Sequence, residues 1–527
     1  MKKGSLEELY DYFKKFHLSD TLYLFGAINA VLKYGEQKLH SSNVPEHLYR
    51  WIGRLTEQER KFVGLNLTRM ARFMILSGAN DHKGQRMLLD TPAFHKAYEM
   101  VIELYDTDVD IPIDQGPEAI SQYFSRIGQI QFPLQVRQHT VIGRGYAMFI
   151  SNPSIATSAY DFNRKLMEFY KLDCFQFMAT GIALWVLVNG ILDYEMTIEI
   201  SKLKDIVTPE AISIFTELAT GTAKQYREMV RGPGRGNQMD KLKDIYGHDP
   251  FTAIPAIRVD RSSVLRAGTV VVPQPKYFLE KASAGIFYLL ANKEQQIANA
   301  AGKTGENPFR NAFGIAFREY IGRHLKTPGK AHTFIDLDVD FSEPWTGLLP
   351  DFALINAEVC LLVEVKTTLL KLPARSYFEP EIIKGEVQAG NLKKAVRQLD
   401  SFRKAILEKK VKDIRFGKVT RILNIIVGYD QVYVLNSAIL PDLTAAHKEI
   451  SYDLQLASIA DVEMMGSALE QGFNLNELMD KKVADPGAVR WSIATYLQNC
   501  HVTSKNQILN EAFLQCMERL GLNKKTV

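Results

Sequence analysis

Hydrophobic and polar positions recur with two different periods along this chain. Up to about residue 250 the spacing is helical: Leu6, Leu9, Tyr10, Phe13 and Phe16 return every three or four residues, as do Phe62, Leu65, Phe73 and Leu76. Such stripes are the core faces of amphipathic helices. Ser5 with Glu8, and Thr56 with Glu59, stand before them as capping boxes, each pair satisfying two backbone donors at a helix start. From Cys174 through Trp185 to Leu192 about nineteen residues carry no charge, close to the length that spans a bilayer. Gln176, Thr180 and Asn189 interrupt that run, Asp173 and Asp193 flank it, and no lysine-rich border orients it. The central buried helix of a large α-domain is the better reading, with a membrane-acting effector as its rival.

Between Ile254 and Val272, β-branched residues punctuated by Pro255, Pro273 and Pro275 predict a few short strands, followed by an apolar helix from Tyr277 to Leu290. The small, polar stretch from Asn292 to Glu306 is expected to be a linker. Asn307-Pro308 then caps a helix with proline in its first turn. Its face of Phe309, Phe313, Ala316, Phe317, Tyr320, Ile321 and Leu325 is wide enough to lie on a sheet. Phe334 to Asp340 alternates, which as a strand would show Asp336, Asp338 and Asp340 on one side. That side is either an exposed acidic face, the simpler account, or a metal cluster.

Phe352 to Ile355 and Val359 to Val363 read as strands joined by a turn at Asn356-Ala357. Leu392, Ala395, Val396, Leu399, Phe402 and Ile406 predict a helix, Ile422 to Val427 a buried strand, and the chain from Leu440, including Trp491 to Leu497, more helix. The expected class is α+β or α/β and multidomain. Residues 1–250 form a helical recognition or regulatory domain, 251–306 short strands, a helix and a linker, 307–436 a mixed core, and 437–527 a helical extension.

The hairpin carries the chemistry. Folded about Asn356-Ala357, it sets Ile355 opposite Glu358, Phe352 opposite Leu361 and Asp351 opposite Leu362, so that Asp351, Leu362, Glu364 and Lys366 share one side. Two carboxylates gathered at the end of a buried hairpin are costly unless something neutralises them. A hard divalent cation does so, because Mg²⁺ takes oxygen ligands and is commonly held by one or two carboxylates plus waters and phosphate. Lys366 is then placed to act on an attacking water or on the charge of a phosphate. The bland alternative is a set of solvated charges at strand ends.

Pro350-Asp351, twelve intervening residues, then Glu364-Val365-Lys366 resemble the PD-(D/E)XK nuclease superfamily, and the order helix, strand, hairpin, helix, strand between Asn307 and about Asn436 is its αβββαβ core. The resemblance covers about a quarter of the chain and implies that Asp351 and Glu364 are metal ligands with the Val365 carbonyl, and that Lys366 is the catalytic lysine. It further implies that an acid on the preceding helix, Glu319, completes the metal shell. Gln398-Leu399-Asp400-Ser401-Phe402 resembles the Gln-x-x-x-Tyr element of RecB-type members, with Phe402 in place of the tyrosine.

Lys393, Lys394, Arg397, Arg403 and Lys404 lie on the polar side of the helix bearing Gln398, a strip suited to a phosphate backbone or, more simply, to solvent. Arg231 and Arg235 in Arg231-Gly232-Pro233-Gly234-Arg235-Gly236 could track an incoming strand, although a surface connection is the simpler account. Gly302-Lys303-Thr304 is not a phosphate-binding loop, because Ile297 stands where such a loop needs glycine.

Composition adds little. Hydrophobic content of 46%, charged content of 24% and a net charge of +4 are those of an ordinary globular chain with no global basic signal. Four scattered cysteines argue against a disulfide framework or zinc site and suit a cytoplasmic protein, and the acidic start shows no export signal. The expected activity is hydrolysis of DNA phosphodiester bonds with Mg²⁺ or Mn²⁺, RNA remaining open. A helical region 1–250 would meet substrate, partner or activator, and no stable membrane insertion is expected. A binding or scaffold protein with an inert nuclease core is the rival from another class.

Overall fold

The computed structural model describes residues 5–34, 44–82, 88, 91–107, 136–157, 159–188, 191–192, 205–247, 249–259, 262, 265, 269–303, 305, 307–326, 332–341, 345, 347–369, 380–429, 435–446 and 453–522. Both expected capping boxes form: Ser5 and Thr56 accept from the backbone three residues on, and Glu8 and Glu59 return the bond. They open α1 (Leu6–Phe13) and, after α2 (Leu18–Tyr34), α3 (Glu57–Leu76). Phe62 departs from the expected core stripe and is 48% exposed. The first turns of α3 project beyond their neighbours, and burial becomes continuous only from Leu65 to Leu76.

These helices share a core with Tyr226, Val230, Phe251 and Tyr277, and at its centre lies a polar knot. Asp244 accepts from the Tyr10 hydroxyl at 2.8 Å and from Arg231 at 2.8 and 2.6 Å, while Arg231 also donates to the carbonyls of Gly236 and Leu76. Arg231 is 4% exposed, which corrects its reading as a nucleic-acid contact: its donors are spent in the interior on a buried carboxylate. Arg235 is exposed.

The uncharged stretch after Asp173 makes α5 (Cys174–Leu187), preceded by α4 (Gln138–Phe149). At 14 residues α5 is roughly 21 Å long, short of the ~30 Å hydrocarbon layer, and it is buried from Phe177 through Trp185. Gly181 is required there, since a Cβ would stand 2.5 Å from Cβ of Ala282. No described helix is long and apolar enough to cross a membrane. Four short strands, β1 (Ile191–Leu192), β2 (Thr220–Gly221), β3 (Ala256–Arg258) and β4 (Val270–Val271), form a small sheet of order β1-β4-β3-β2. The expected linker is a further correction: helices run over Lys276–Ser283 and Gly285–Ala300, and within the second the buried Glu294 accepts from the Tyr160 hydroxyl at 2.8 Å.

Beyond it comes the expected order: α6 (Pro308–Leu325), β5 (Thr333–Asp336), β6 (Phe352–Asn356), β7 (Val359–Lys366), a helix at Pro380–Ala389, α7 (Asn391–Leu407) and β8 (Arg421–Gly428). A strand absent from the expectation, β9 (Leu454–Ser458), follows within the supposed helical extension, before α8 (Ile459–Glu470), α9 (Leu475–Ala484) and α10 (Gln507–Arg519). All five β9 residues are buried, the polar Gln455 and Ser458 among them. The sheet runs β5-β6-β7-β8-β9, antiparallel through β7 and parallel thereafter.

The fold is α+β. One sheet face, with Phe352, Leu354, Leu361, Val363, Leu423, Ile425 and Val427, packs under α6 and α8. The other, with Ala353, Ile355, Cys360, Leu362 and Ile426, lies under α7. The first core is continuous from Val141 to Leu520, so the boundaries expected at 250, 306 and 436 do not separate independent cores. A buried ion pair of Arg144 with Glu463, at 2.6 and 2.7 Å and joined by the Tyr320 hydroxyl at 2.8 Å, links α4, α8 and α6 across them.

Candidate active site

The hairpin turns one residue later than expected. Asn356 pairs with Val359, Ile355 with Cys360 and Phe352 with Val363, so the turn residues are Ala357 and Glu358, with Ala357 at φ 51°. The register therefore differs by two residues from that expected. A shift of two preserves every face within the paired strands, so Glu364 and Lys366 share one side of β7; Asp351, just before β6, is reached from α6 by Arg318. The Asp351 N–H donates to the Val363 carbonyl at 3.0 Å, so the regular pairing ends at Phe352 and Asp351 is not opposite Leu362.

Glu364 is 1% exposed on the α7 side of the sheet, and its Oε1 accepts from Lys366 while Oε2 has no partner. Burial, and after it the Asp351 carboxylate, push the Glu364 carboxyl up to about 7. Burial also raises Asp351, against the pull of the Val365 amide and Arg318. Asp351 Oδ2 accepts from the Val365 N–H at 2.7 Å. In an extended strand the N–H and C=O of one residue face the same edge, so the Val365 carbonyl is turned toward Asp351, past the end of β6. Lys366 donates to Gln398 Oε1 at 3.1 Å, and Gln398 Nε2 to the Leu349 carbonyl at 3.0 Å. The fold thus joins Asp351, Glu364, Val365, Lys366 and Gln398. Phe402, in the tyrosine position, packs edge-on against Trp345 and Phe416 in the core.

Glu319 is not among the groups brought together: it makes no hydrogen bond or ion pair with Asp351, Glu364 or Lys366. Arg318, beside it, does reach the site. Its Nε donates to Asp351 Oδ1 at 2.6 Å and its terminal nitrogens to Asp336 at 2.6 and 3.1 Å, with Asp338 at 3.0 Å. The guanidinium lies 4.6 Å from the centre of the Phe352 ring. Positions 318 and 319 border opposite sides of the α6 apolar face, and only the direction in which α6 crosses the sheet decides which one meets the strand ends. The acidic run is reorganised as well. β5 ends at Asp336 and residues 337–340 turn, so Asp336, Asp338 and Asp340 do not line a strand face. Asp340 instead accepts the Asp336 N–H at 3.0 Å.

Lys394 and Arg397 are exposed and Lys393 half-exposed on α7. The start of α7 is tied to the end of the hairpin by Asn391, which donates to the Thr368 carbonyl at 3.0 Å. Arg403 and Lys404, further along, are engaged with Asp400. The basic strip therefore narrows to the turns nearest the carboxylates.

A hard divalent cation fits these residues. The orphaned, buried Oε2 of Glu364 is a ligand atom without a partner, and with Asp351 and the Val365 carbonyl the donors are all oxygen. Among the described residues no three His, Cys, Asp or Glu converge on one point, so waters and substrate would supply the remaining ligands, as Mg²⁺ usually requires. Comparison with family models, curated proteins and solved structures finds no match.

Proposed function

We propose that this protein is a metal-dependent nuclease that hydrolyses phosphodiester bonds of DNA. The observation that carries the reading is the buried, half-unpartnered Glu364 beside Asp351, with Lys366 in the same cluster. Asp351, Glu364 and the Val365 carbonyl would hold Mg²⁺ or Mn²⁺. When bound, the ion would supply Lewis-acid stabilisation of charge on the scissile phosphate and a more acidic attacking water. Lys366, fixed between Glu364 and Gln398, orients that water and meets the negative charge growing on the phosphate as one bridging P–O bond breaks. Lys393, Lys394 and Arg397 track the strand through its phosphates.

Region 1–250 is proposed to recognise substrate or a partner, or to hold the nuclease silent until a signal arrives. Helical regions joined to such cores resemble prokaryotic restriction and anti-phage effectors, an analogy at the level of architecture. One observation favours the rival, an inert scaffold: Arg318 and Lys366 already neutralise much of the acidic charge. Plasmid cleavage separates the two. The wild type should cut with Mg²⁺ and stop with EDTA, and Glu364→Ala and Lys366→Ala should each lose roughly 10²–10³-fold or more. Equal cutting by all three proteins, or none by any, overturns the nuclease reading.

A further inference from the structure

We infer that a cavity on the N-terminal helices receives an unpaired nucleotide of a nucleic-acid strand, its base against Trp51 and its phosphates on Arg50 and Arg54. The inference rests on the part of the nuclease reading that gives region 1–250 a role in recognition. The cavity, of about 570 Å³, is lined by Glu46, His47, Arg50, Trp51, Arg54 and His95. All but His95 come from the helix Glu46–Gly53 and its C-cap residue Arg54. That helix turns Leu48 and Ile52 into the core. His47, Arg50, Trp51 and Arg54 recur at three- and four-residue spacing, so they share another side of it.

Trp51 is half-buried, and its indole meets Phe94, His95 and Tyr98 edge-on, with ring centroids 5.9, 5.6 and 5.9 Å away and planes at 70, 87 and 79°. All three rings stand on the helix Thr91–Thr107, so they fix the indole from one side while the cavity opens on another. A fixed indole beside two guanidiniums answers both ends of a nucleotide. The ring offers a stacking surface to a base, and the guanidiniums offer paired donors to phosphate oxygens. Arg54 is exposed, and Arg50 is paired with Glu46 through side chains 69% and 76% exposed. A pair so open to solvent is weak and yields to a phosphate. The volume suits one nucleotide unit. A base inside a duplex presents no free face, so an unpaired strand is the occupant.

Fluorescence anisotropy of a labelled oligo(dT) with the full chain in EDTA, where nothing is cut, reads binding apart from cleavage. Trp51→Ala should weaken binding about tenfold or more. Trp51→Phe, which keeps a stacking ring and so guards against a folding defect, should weaken it by about threefold at most. Arg50→Ala with Arg54→Ala should lower the slope of log K against log salt by about 1.4. Glu46→Gln, which removes the carboxylate lining the cavity, should tighten binding. An oligonucleotide carrying 5-iodouracil should crosslink to Trp51 or His95. Circular dichroism melts verify that each variant is folded.

No binding of oligo(dT), equal affinity of the wild type and Trp51→Ala, or crosslinks confined to other residues overturns the inference. So does a polyglutamate peptide bound as tightly by Trp51→Ala as by the wild type where oligo(dT) is not bound, which assigns the cavity to an acidic protein segment. Binding that depends on Trp51 in a protein that cuts nothing with Mg²⁺ keeps the cavity and refutes the nuclease; cleavage together with binding indifferent to Trp51 does the reverse.

Discussion

Glu364→Gln should make the protein more stable while removing its activity. Glu364 is 1% exposed, and its carboxyl is held at about 7 against an ordinary 4.5. Below pH 4.5 it is protonated in folded and unfolded chains alike and costs nothing. As the pH rises toward 7 the folded chain keeps a proton that the unfolded chain has released, so stability falls. Each pH unit in that window is worth about 1.4 kcal/mol, so the wild type has lost roughly 3 kcal/mol by pH 8 relative to a neutral isostere. Urea unfolding in EDTA, followed by fluorescence of tryptophans such as Trp345 beside Phe402, should show the variant ahead by about 3 kcal/mol at pH 8 and by less than about 1 kcal/mol at pH 5. A variant no more stable than the wild type at pH 8, or equally favoured at both pH values, refutes the claim that this carboxylate is held in the folded chain against its own preference.

Other residues give independent tests. Gln398→Leu frees Lys366 from one of its two side-chain partners, and cleavage should fall about tenfold with DNA affinity in a filter-binding assay unchanged. Lys394→Ala with Arg397→Ala should weaken DNA binding evenly across sequences and reduce the slope of log K against log salt by about 2; an unchanged slope removes these residues from the interface. Arg231→Met strips Asp244, which is 0% exposed, of two hydrogen bonds and should cost roughly 3–5 kcal/mol in urea unfolding without altering the salt slope. Ala357→Gly, at φ 51° in the hairpin turn, should raise stability by up to about 1 kcal/mol and leave cleavage as it was.

What could be read in the chain beforehand was what neighbouring residues decide among themselves. Ser5 and Glu8, Thr56 and Glu59, and Asn307 before Pro308 each make a helix start within four positions, and all three form. The shared side of Glu364 and Lys366 was legible for a related reason: strand alternation is indifferent to a two-residue change of register, so the wrong turn still kept each strand residue on its face. What stayed hidden depends on partners far along the chain. Arg231 has the look of a loop arginine until Asp244 is folded beneath it. Arg318 and Glu319 are equally plausible borders of one helix face, and the crossing direction of α6 separates them. β9, Leu454-Gln455-Leu456-Ala457-Ser458, is short, and Gln455 and Ser458 are buried with the rest, so its few polar residues do not mark a solvent face. Residues 292–306 read as a linker because they are small and polar, but through Ala300 they continue a helix in which Glu294 is buried and bonded to a Tyr160 hydroxyl more than a hundred positions away.

The most direct measurement is anomalous diffraction from crystals soaked in Mn²⁺. The account predicts one peak between the Asp351 and Glu364 carboxylates, within ligand distance of both and of the Val365 carbonyl. A peak elsewhere, or an Asp351 side chain turned to the opposite side of the sheet from Glu364, contradicts it.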